Sequence, residues 1–279
     1  MRQGQVVTIR GMAIDLTEQI IVITGASSGI GAATAVACAR AGMHVVLNGR
    51  REDRLDEVAQ RVRQCGRSAE TVVGDVTEPG LNARLLDTAR QRFGHFDVVF
   101  ANAGYGFKKP EHELNMAELR RIFEVNFFAA HELIAEAARR LLAEHRRGHL
   151  LMCSSAVAKF TLPSFAAYSA TKAAQNHFCR AMRMELRRYG IEVASVHPIT
   201  TRTEFVSRAV EYSAEAAPPA ARPGSPEEWF TQAPETVANA VVRCLRRPRP
   251  EVWTSFSVRL ATGLMTVFPR LMDAVGRRA

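Results

Sequence analysis

An apolar run, Ile20 to Ile23, passes into the turn Thr24-Gly-Ala-Ser-Ser-Gly-Ile-Gly31 and then into an alanine-rich stretch that stops at Gly42. Continuous rather than alternating hydrophobicity marks a strand covered on both faces, and a glycine after a helical stretch marks its end. Strand, glycine turn and helix in this order form the first half of a βαβ unit, which commits the chain to a parallel sheet. The alternation continues. Strands are expected at His44–Leu47, Ala69–Val73, Asp97–Ala101, Leu150–Ser154 and Glu192–His197, and helices at Glu52–Gln64, Leu81–Phe93, Met116–His145 and Ala166–Arg188. Right-handed crossovers place every strand C-terminus along one edge, so reactive side chains should gather there.

The expected class is α/β: a single-domain Rossmann fold, a doubly wound parallel sheet with helices on both faces. The 279 residues suffice for one large domain, and no Pro/Gly/Ser-rich linker divides them. Residues 18–256 are expected to form it, behind an N-terminal extension, 1–17, and ahead of an apolar and basic C-terminal segment, 257–279. Segment 200–233 breaks the alternation with Ala-Pro-Pro-Ala-Ala-Arg-Pro-Gly-Ser-Pro and is expected to act as a substrate lid. A helix from Pro234 to Leu245 and a last strand, Glu251 to Ser255, follow.

Composition narrows the setting. Cys38, Cys65, Cys153, Cys179 and Cys244 form no Cys-x-x-Cys pair, which favours buried reduced thiols over a metal site or a disulfide framework and implies a reducing, cytoplasmic compartment. No metal is expected. The net charge of +9 is largely arginine; a nucleic-acid partner would need base-reading or stacking elements, and no such motif is present. Solvated helix faces account for the charge, or an anionic cofactor or a membrane surface shares it. Residues 1–15 lack the continuous apolar core of an export signal. The stretch Val258–Val275 is too short, and too broken at Pro269, to span a bilayer.

The glycines of the first turn let backbone amides approach a pyrophosphate at a helix N-terminus, so Gly25, Gly29 and Gly31 are the expected cradle of a dinucleotide. An acidic residue at the end of the second strand would bind ribose hydroxyls and repel a 2′-phosphate. This strand instead ends Leu47-Asn48-Gly49-Arg50-Arg51. Arg50, with Arg51, can pair with that phosphate, and NADP(H) is expected over NAD(H).

Tyr168 and Lys172 lie four residues apart, on one face of a helix, with Ser155 at the end of an apolar strand upstream. Hydride transfer to a carbonyl needs a proton delivered to the oxygen, and a phenol can serve if a nearby cation favours its phenolate. Ser155 would hydrogen-bond the substrate oxygen. The ordered set of Thr24 to Gly31, Gly74-Asp75-Val76, Ala101-Asn102-Ala103-Gly104, Val125-Asn126, Ser154-Ser155, Tyr168-x-x-x-Lys172 and Pro198 with Thr203 resembles the short-chain dehydrogenase/reductase family from Ile20 to Ser255.

The resemblance implies a catalytic tetrad of Asn126, Ser155, Tyr168 and Lys172. Asn126 would hold a water against Lys172 and complete a proton relay, and Tyr168 and Lys172 would also contact the cofactor, Lys172 at the nicotinamide ribose. The cofactor would be held by Thr24, Gly25, Ser27, Ser28, Gly29, Ile30 and Gly31 at the turn, and by Arg50 and Arg51. Asp75, followed by Val76, would meet adenine, and Asn102, with Ala103 and Gly104, would brace the sheet beside the adenosine ribose. Pro198 and Thr203 would lie at the nicotinamide. Two departures bear on pocket shape: Ile199 follows the proline where the family usually has glycine, and Ala158 replaces a glycine after the serine.

Aromatic and apolar residues at Tyr105, Phe107, Phe160, Phe165, Phe205, Trp229 and Phe230 either line a pocket for a hydrophobic alcohol or ketone or pack the lid onto the body. The C-terminal segment either lies on a membrane surface, covers the pocket or pairs with a second subunit. The resemblance implies a homodimer or homotetramer. A non-catalytic NADP-binding regulator of the same fold is the rival reading, opposed by the complete tetrad.

Overall fold

The computed structural model describes residues 13–201, 231–268 and 270. Most of the lid segment, with Thr203, Phe205, Trp229 and Phe230, and most of the tail lie outside the described residues. Nine strands are present among them: β1 (Ile20–Ile23), β2 (His44–Gly49), β3 (Ala69–Val73), β4 (Val98–Ala101), β5 (Gly148–Cys153), β6 (Ile191–His197), β7 (Thr200–Thr201), β8 (Thr231–Gln232) and β9 (Glu251–Trp253). Seven form one parallel sheet in the order β3-β2-β1-β4-β5-β6-β9. The chain runs outward from β1 to β3, then returns to start the other half at β4. This reversal opens a crevice beyond the C-terminal ends of β1 and β4, where ligands of such sheets bind.

The helices are α1 (Gly29–Arg40), α2 (Glu52–Gln64), α3 (Leu81–Phe93), α4 (Met116–Phe123), α5 (Ala129–Ala143), α6 (Ala166–Leu186), α7 (Pro234–Arg246) and α8 (Phe256–Val267). Period-two geometry assigns alternate strand residues to opposite faces. Ile21, Ile23, Val45, Leu47 and Phe100 join one core with α1, α2 and α7, while Ile20, Val22, Val46 and Val99 join another with α3, α5 and α6. Both faces of the central strands are therefore buried, which is why β1 and β4 read as unbroken apolar runs.

Several expected bounds change. The single helix expected over Met116–His145 is α4, a π-helical turn at Glu124–Phe128, and α5; both halves keep the helical period, so the pattern reads as one helix. Strands β5 and β6 start earlier than expected because Gly148 and Ile191 still pair. The last strand stops at Trp253, since Ser255 caps α8 by accepting from Val258 N–H at 3.3 Å. In the segment assigned to the N-terminal extension, Leu16 is buried and Ile14 N–H bonds the Arg246 carbonyl at 2.8 Å. Strands β7 and β8 pair with each other and bring together the two ends of segment 200–233.

Candidate active site

The first turn is held open by two left-handed glycines, Gly25 at φ 64° and Gly29 at φ 55°. Ser28 precedes α1 in an extended conformation and makes no side-chain cap, so the first amides of α1 are left for an external acceptor. Thr24 is buried, and its Oγ1 accepts from the amides of Asn102 (3.0 Å) and Ala103 (3.1 Å). The Asn102 side chain donates back to the carbonyls of Thr24 (3.0 Å) and Gly25 (3.2 Å). The turn is thus fastened to the end of β4. Gly31 sits against it so closely that a Cβ would lie 2.2 Å from the Gly25 carbonyl oxygen.

At the end of β2 stand Arg50 and Arg51. Arg50 is exposed and 3.7 Å from Asp75, which also pairs with Arg121 at 3.3 Å. Arg51 reaches Ser27 Oγ at 3.5 Å. Partial burial works to raise the Asp75 pKa, but hydrogen bonds from Thr77 and the two guanidinium groups hold the carboxyl below its ordinary range. Val76 is buried behind it. An uncapped helix start, left-handed glycines and guanidinium groups, with no carboxylate closing β2, form a donor set that fits a dinucleotide.

On the far side of the crevice, Ser155 follows β5 and its Oγ accepts from Val157 N–H at 3.4 Å. Tyr168, in the first turn of α6, makes a side-chain hydrogen bond with Ser155. Lys172, one turn further, places Nζ 5.6 Å from the Tyr168 ring centroid and donates to the Cys153 carbonyl at 2.7 Å. Asn126, in the π-helical turn, exchanges hydrogen bonds with the Tyr105 backbone (2.8 and 2.9 Å) and donates to Thr171 Oγ1 at 3.1 Å. Gly104 lies between them: a Cβ there would meet Asn126 Oδ1 at 3.0 Å and Lys172 Nζ at 3.4 Å. Pro198 is buried, and its carbonyl accepts from Ala156 N–H at 2.9 Å. Apart from Thr203, the expected residues all lie along this one edge.

A family model described as short chain dehydrogenase matches residues 19–213. The chain belongs to the short-chain dehydrogenase/reductase family. It is therefore an oxidoreductase by descent. It is 30% identical over 260 residues to the uncharacterized oxidoreductase YbbO of Escherichia coli, covering 91% of each chain. With the 1-deoxy-11-beta-hydroxypentalenate dehydrogenase of Streptomyces exfoliatus it shares 37% over 194 residues, 68% of this chain and 70% of that one. It also matches the glycine betaine reductase ATRR of Emericella nidulans at 32% over 233 residues, but spans only 18% of that protein's length against 84% of its own.

Among solved structures, an alcohol dehydrogenase from Thermococcus sibiricus with 5-hydroxy-NADP superposes with a TM-score of 0.71 at 29% identity, covering 85% of this chain and 95% of that one. A 7α-hydroxysteroid dehydrogenase with NADH and 7-oxo glycochenodeoxycholic acid superposes with 0.72 at 26%, covering 83% and 88%.

The electrostatics of this dehydrogenase site depart from the simple expectation. Burial pushes the Tyr168 phenol above its ordinary range, with Cys153 adding to the rise and the Ser155 hydrogen bond opposing it. The lowering expected from Lys172 does not decide the direction, because burial outweighs it. Lys172 itself is pulled down to about 8 by burial.

Two further neighbours escape the motifs. His197 ends β6 fully buried, stacked on Trp253 (4.6 Å between centroids, 9° between planes). Burial holds it at about 4, so the ring is neutral; Nδ1–H donates to the Ser155 carbonyl at 2.9 Å, and Nε2 lies 2.9 Å from Ser195 Oγ. A His-Pro pair at a strand end was the available signal. Gln175, three residues after Lys172, is the other.

Glu251 on β9 accepts from Lys159 at 2.7 Å, fastening the loop after Ser155 to the last strand. Partial burial opposes ionisation, but bonds from Lys159 and Trp253 prevail and hold the carboxyl at about 2, down from 4.5. A depressed carboxylate stabilises the fold above the unfolded value, and that contribution fades as pH falls from about 4.5 through about 2. Glu251→Gln should therefore lower stability at pH 7 by about 1–2 kcal/mol, allowing for solvent screening. Urea midpoints of the two proteins should converge near pH 2; a constant gap across the range would show that charge plays no part.

Proposed function

We propose that this chain is an NADP(H)-dependent dehydrogenase/reductase that interconverts a secondary alcohol and a ketone, or reduces an aldehyde, on a hydrophobic substrate. The observation that carries it is the hydrogen-bonded Ser155–Tyr168 pair beside the buried Lys172, facing the glycine turn across the crevice. NADP(H), when bound, supplies or accepts the hydride. In the reducing direction Tyr168 Oη gives its proton to the substrate oxygen while Ser155 Oγ–H donates a hydrogen bond to it. The Lys172 ammonium then stabilises the phenolate that remains, and Asn126 holds the Tyr105 loop in place. Arg50 and Arg51 hold the 2′-phosphate, the α1 amides the pyrophosphate, and Asp75, Val76 and Asn102 the adenosine. Thr203 remains a proposed contact to the nicotinamide carboxamide.

The cofactor preference has its own test. Arg50→Ala should raise the KM for NADPH about ten- to a hundredfold, the effect of losing one charge-assisted hydrogen bond, and leave NADH turnover unchanged. Equal efficiency of the native chain with both cofactors would refute the preference.

A hydrophobic substrate is favoured by the hydroxypentalenate and the hydroxysteroid named for two similar proteins and by the aromatic wall beside Tyr168. Phe165 meets the Tyr168 ring edge-on at 6.5 Å between centroids, and Phe107, with Tyr105, belongs to the cluster that also contacts Tyr168. Turnover confined to small polar ketones would refute it. On α8, Phe256, Leu260, Leu264 and Val267 form an exposed apolar stripe. Among the described residues no helix is long and apolar enough to cross a membrane. We assign this stripe to peripheral membrane contact within a homodimer or homotetramer. Flotation with liposomes, with and without residues 257–279, tests that contact.

A further inference from the structure

Gln175 lies on α6 nearly one turn after Lys172, fully buried, and its amide reaches in two directions. Oε1 accepts from Lys172 Nζ at 3.3 Å, and Nε2 donates to the Asn126 main-chain carbonyl at 2.5 Å. Its orientation is determined by its partners: an ammonium only donates and a carbonyl only accepts, so the reversed amide would set like against like at both ends. Lys172 is 3% exposed, and both of its acceptors, the Cys153 carbonyl and Gln175 Oε1, are uncharged.

One side chain thus joins the Lys172 ammonium to the Asn126 main chain. We propose that Gln175 is a positioning residue that holds the Lys172 ammonium in place beside Tyr168 and ties it to the Asn126 main chain. The assignment rests on the roles given above to Tyr168 and Lys172. An amide with one face donating and the other accepting cannot turn over to pass a proton as water does. Its contribution is therefore to the charge on Lys172, and no proton travels through it. With both acceptors neutral and the ammonium buried, each dipole aimed at it weighs more than it would in water.

The test is a pH titration of the Lys172 side chain in the full chain, by NMR of ¹³C-labelled lysine assigned with Lys172→Met. Gln175→Leu keeps the volume and removes both polar contacts; the lysine pKa should fall by about one unit. Gln175→Ala opens a polar space where a water can enter and bridge the ammonium to the carbonyl, so the titration should return toward the wild type. A merely structural role predicts the reverse order, because Ala leaves the larger void. Gln175→Met serves where Leu does not fold.

In alcohol oxidation the apparent pKa of kcat/KM should rise by about one unit in the Leu variant and less in the Ala variant, since a less charged lysine stabilises the phenolate less. An unmoved Lys172 in Gln175→Leu, or a larger perturbation in Gln175→Ala, overturns the proposal. A lysine titration that follows the expected order while Tyr168→Phe keeps full turnover would support the Gln175–Lys172 link and overturn the catalytic assignment instead.

Discussion

Tyr168→Phe should abolish most turnover, lowering kcat by about 10²–10⁴-fold, the range for losing a positioned general acid. The substitution removes one oxygen and leaves the ring, whose edge-on packing against Phe165 is independent of the hydroxyl. Melting temperature should therefore stay near the wild type, which separates lost chemistry from lost structure. The measurement is NADPH oxidation against aldehydes and ketones graded in size and polarity. The phenol sits above its ordinary range through burial, so it keeps its proton at neutral pH. That state suits reduction. Undiminished turnover in the variant would remove Tyr168 from the mechanism.

The second large effect is expected at Gly31→Ala. The added Cβ would lie 2.2 Å from the Gly25 carbonyl oxygen, 2.7 Å from Asn102 Nδ2 and 2.9 Å from the Gly25 carbonyl carbon. Two of these atoms are backbone, and the third is the amide that fastens β4 to the turn, so relief requires the turn itself to shift. Overpacking of this kind costs about 1–3 kcal/mol, or roughly 5 °C in melting temperature for a chain of this size. The displaced amides should also weaken NADPH binding by tenfold or more, as expected for about 1.4 kcal/mol. Gly263→Ala is the control: nothing lies within 4 Å of where its Cβ would stand, and α8 continues through it. It should leave cofactor binding untouched and raise stability by at most about 1 kcal/mol. A Gly31→Ala protein with native affinity would show that the turn is more pliant than its contacts imply.

Much of this architecture was legible because parallel strands buried on both faces must be apolar throughout. Ala69–Val73, Glu52–Gln64 and Leu81–Phe93 occur with the expected bounds, each closed by a glycine or by a change in periodicity. The motif residues along the crevice were legible because their chemistry dictates short spacings. Gln175 and His197 were not. Their partners, Asn126 and the Ser155 carbonyl, lie 49 and 42 positions away, and a buried polar residue has no periodicity of its own. The direction of the Tyr168 shift was hidden for a related reason. The spacing places a cation on the same helical face, whereas burial depends on everything packed around it. The contribution of Thr203 and the lid aromatics lies outside the described residues.

The π-helical turn at Glu124–Phe128 changes what one long rod can do. Upstream, Ile122 faces the cluster of Phe107 and Ala167, beside Tyr168; downstream, Ala130, Leu133, Ile134 and Ala137 face the sheet. A regular helix advances about 100° per residue, so one inserted position resets the phase between these halves. The two clients of the rod can then be served by segments that need not share a stripe. Deleting a single residue within Glu124–Phe128 would restore a uniform ladder and turn one half against the other, leaving either the sheet or the aromatic cluster facing the wrong side chains.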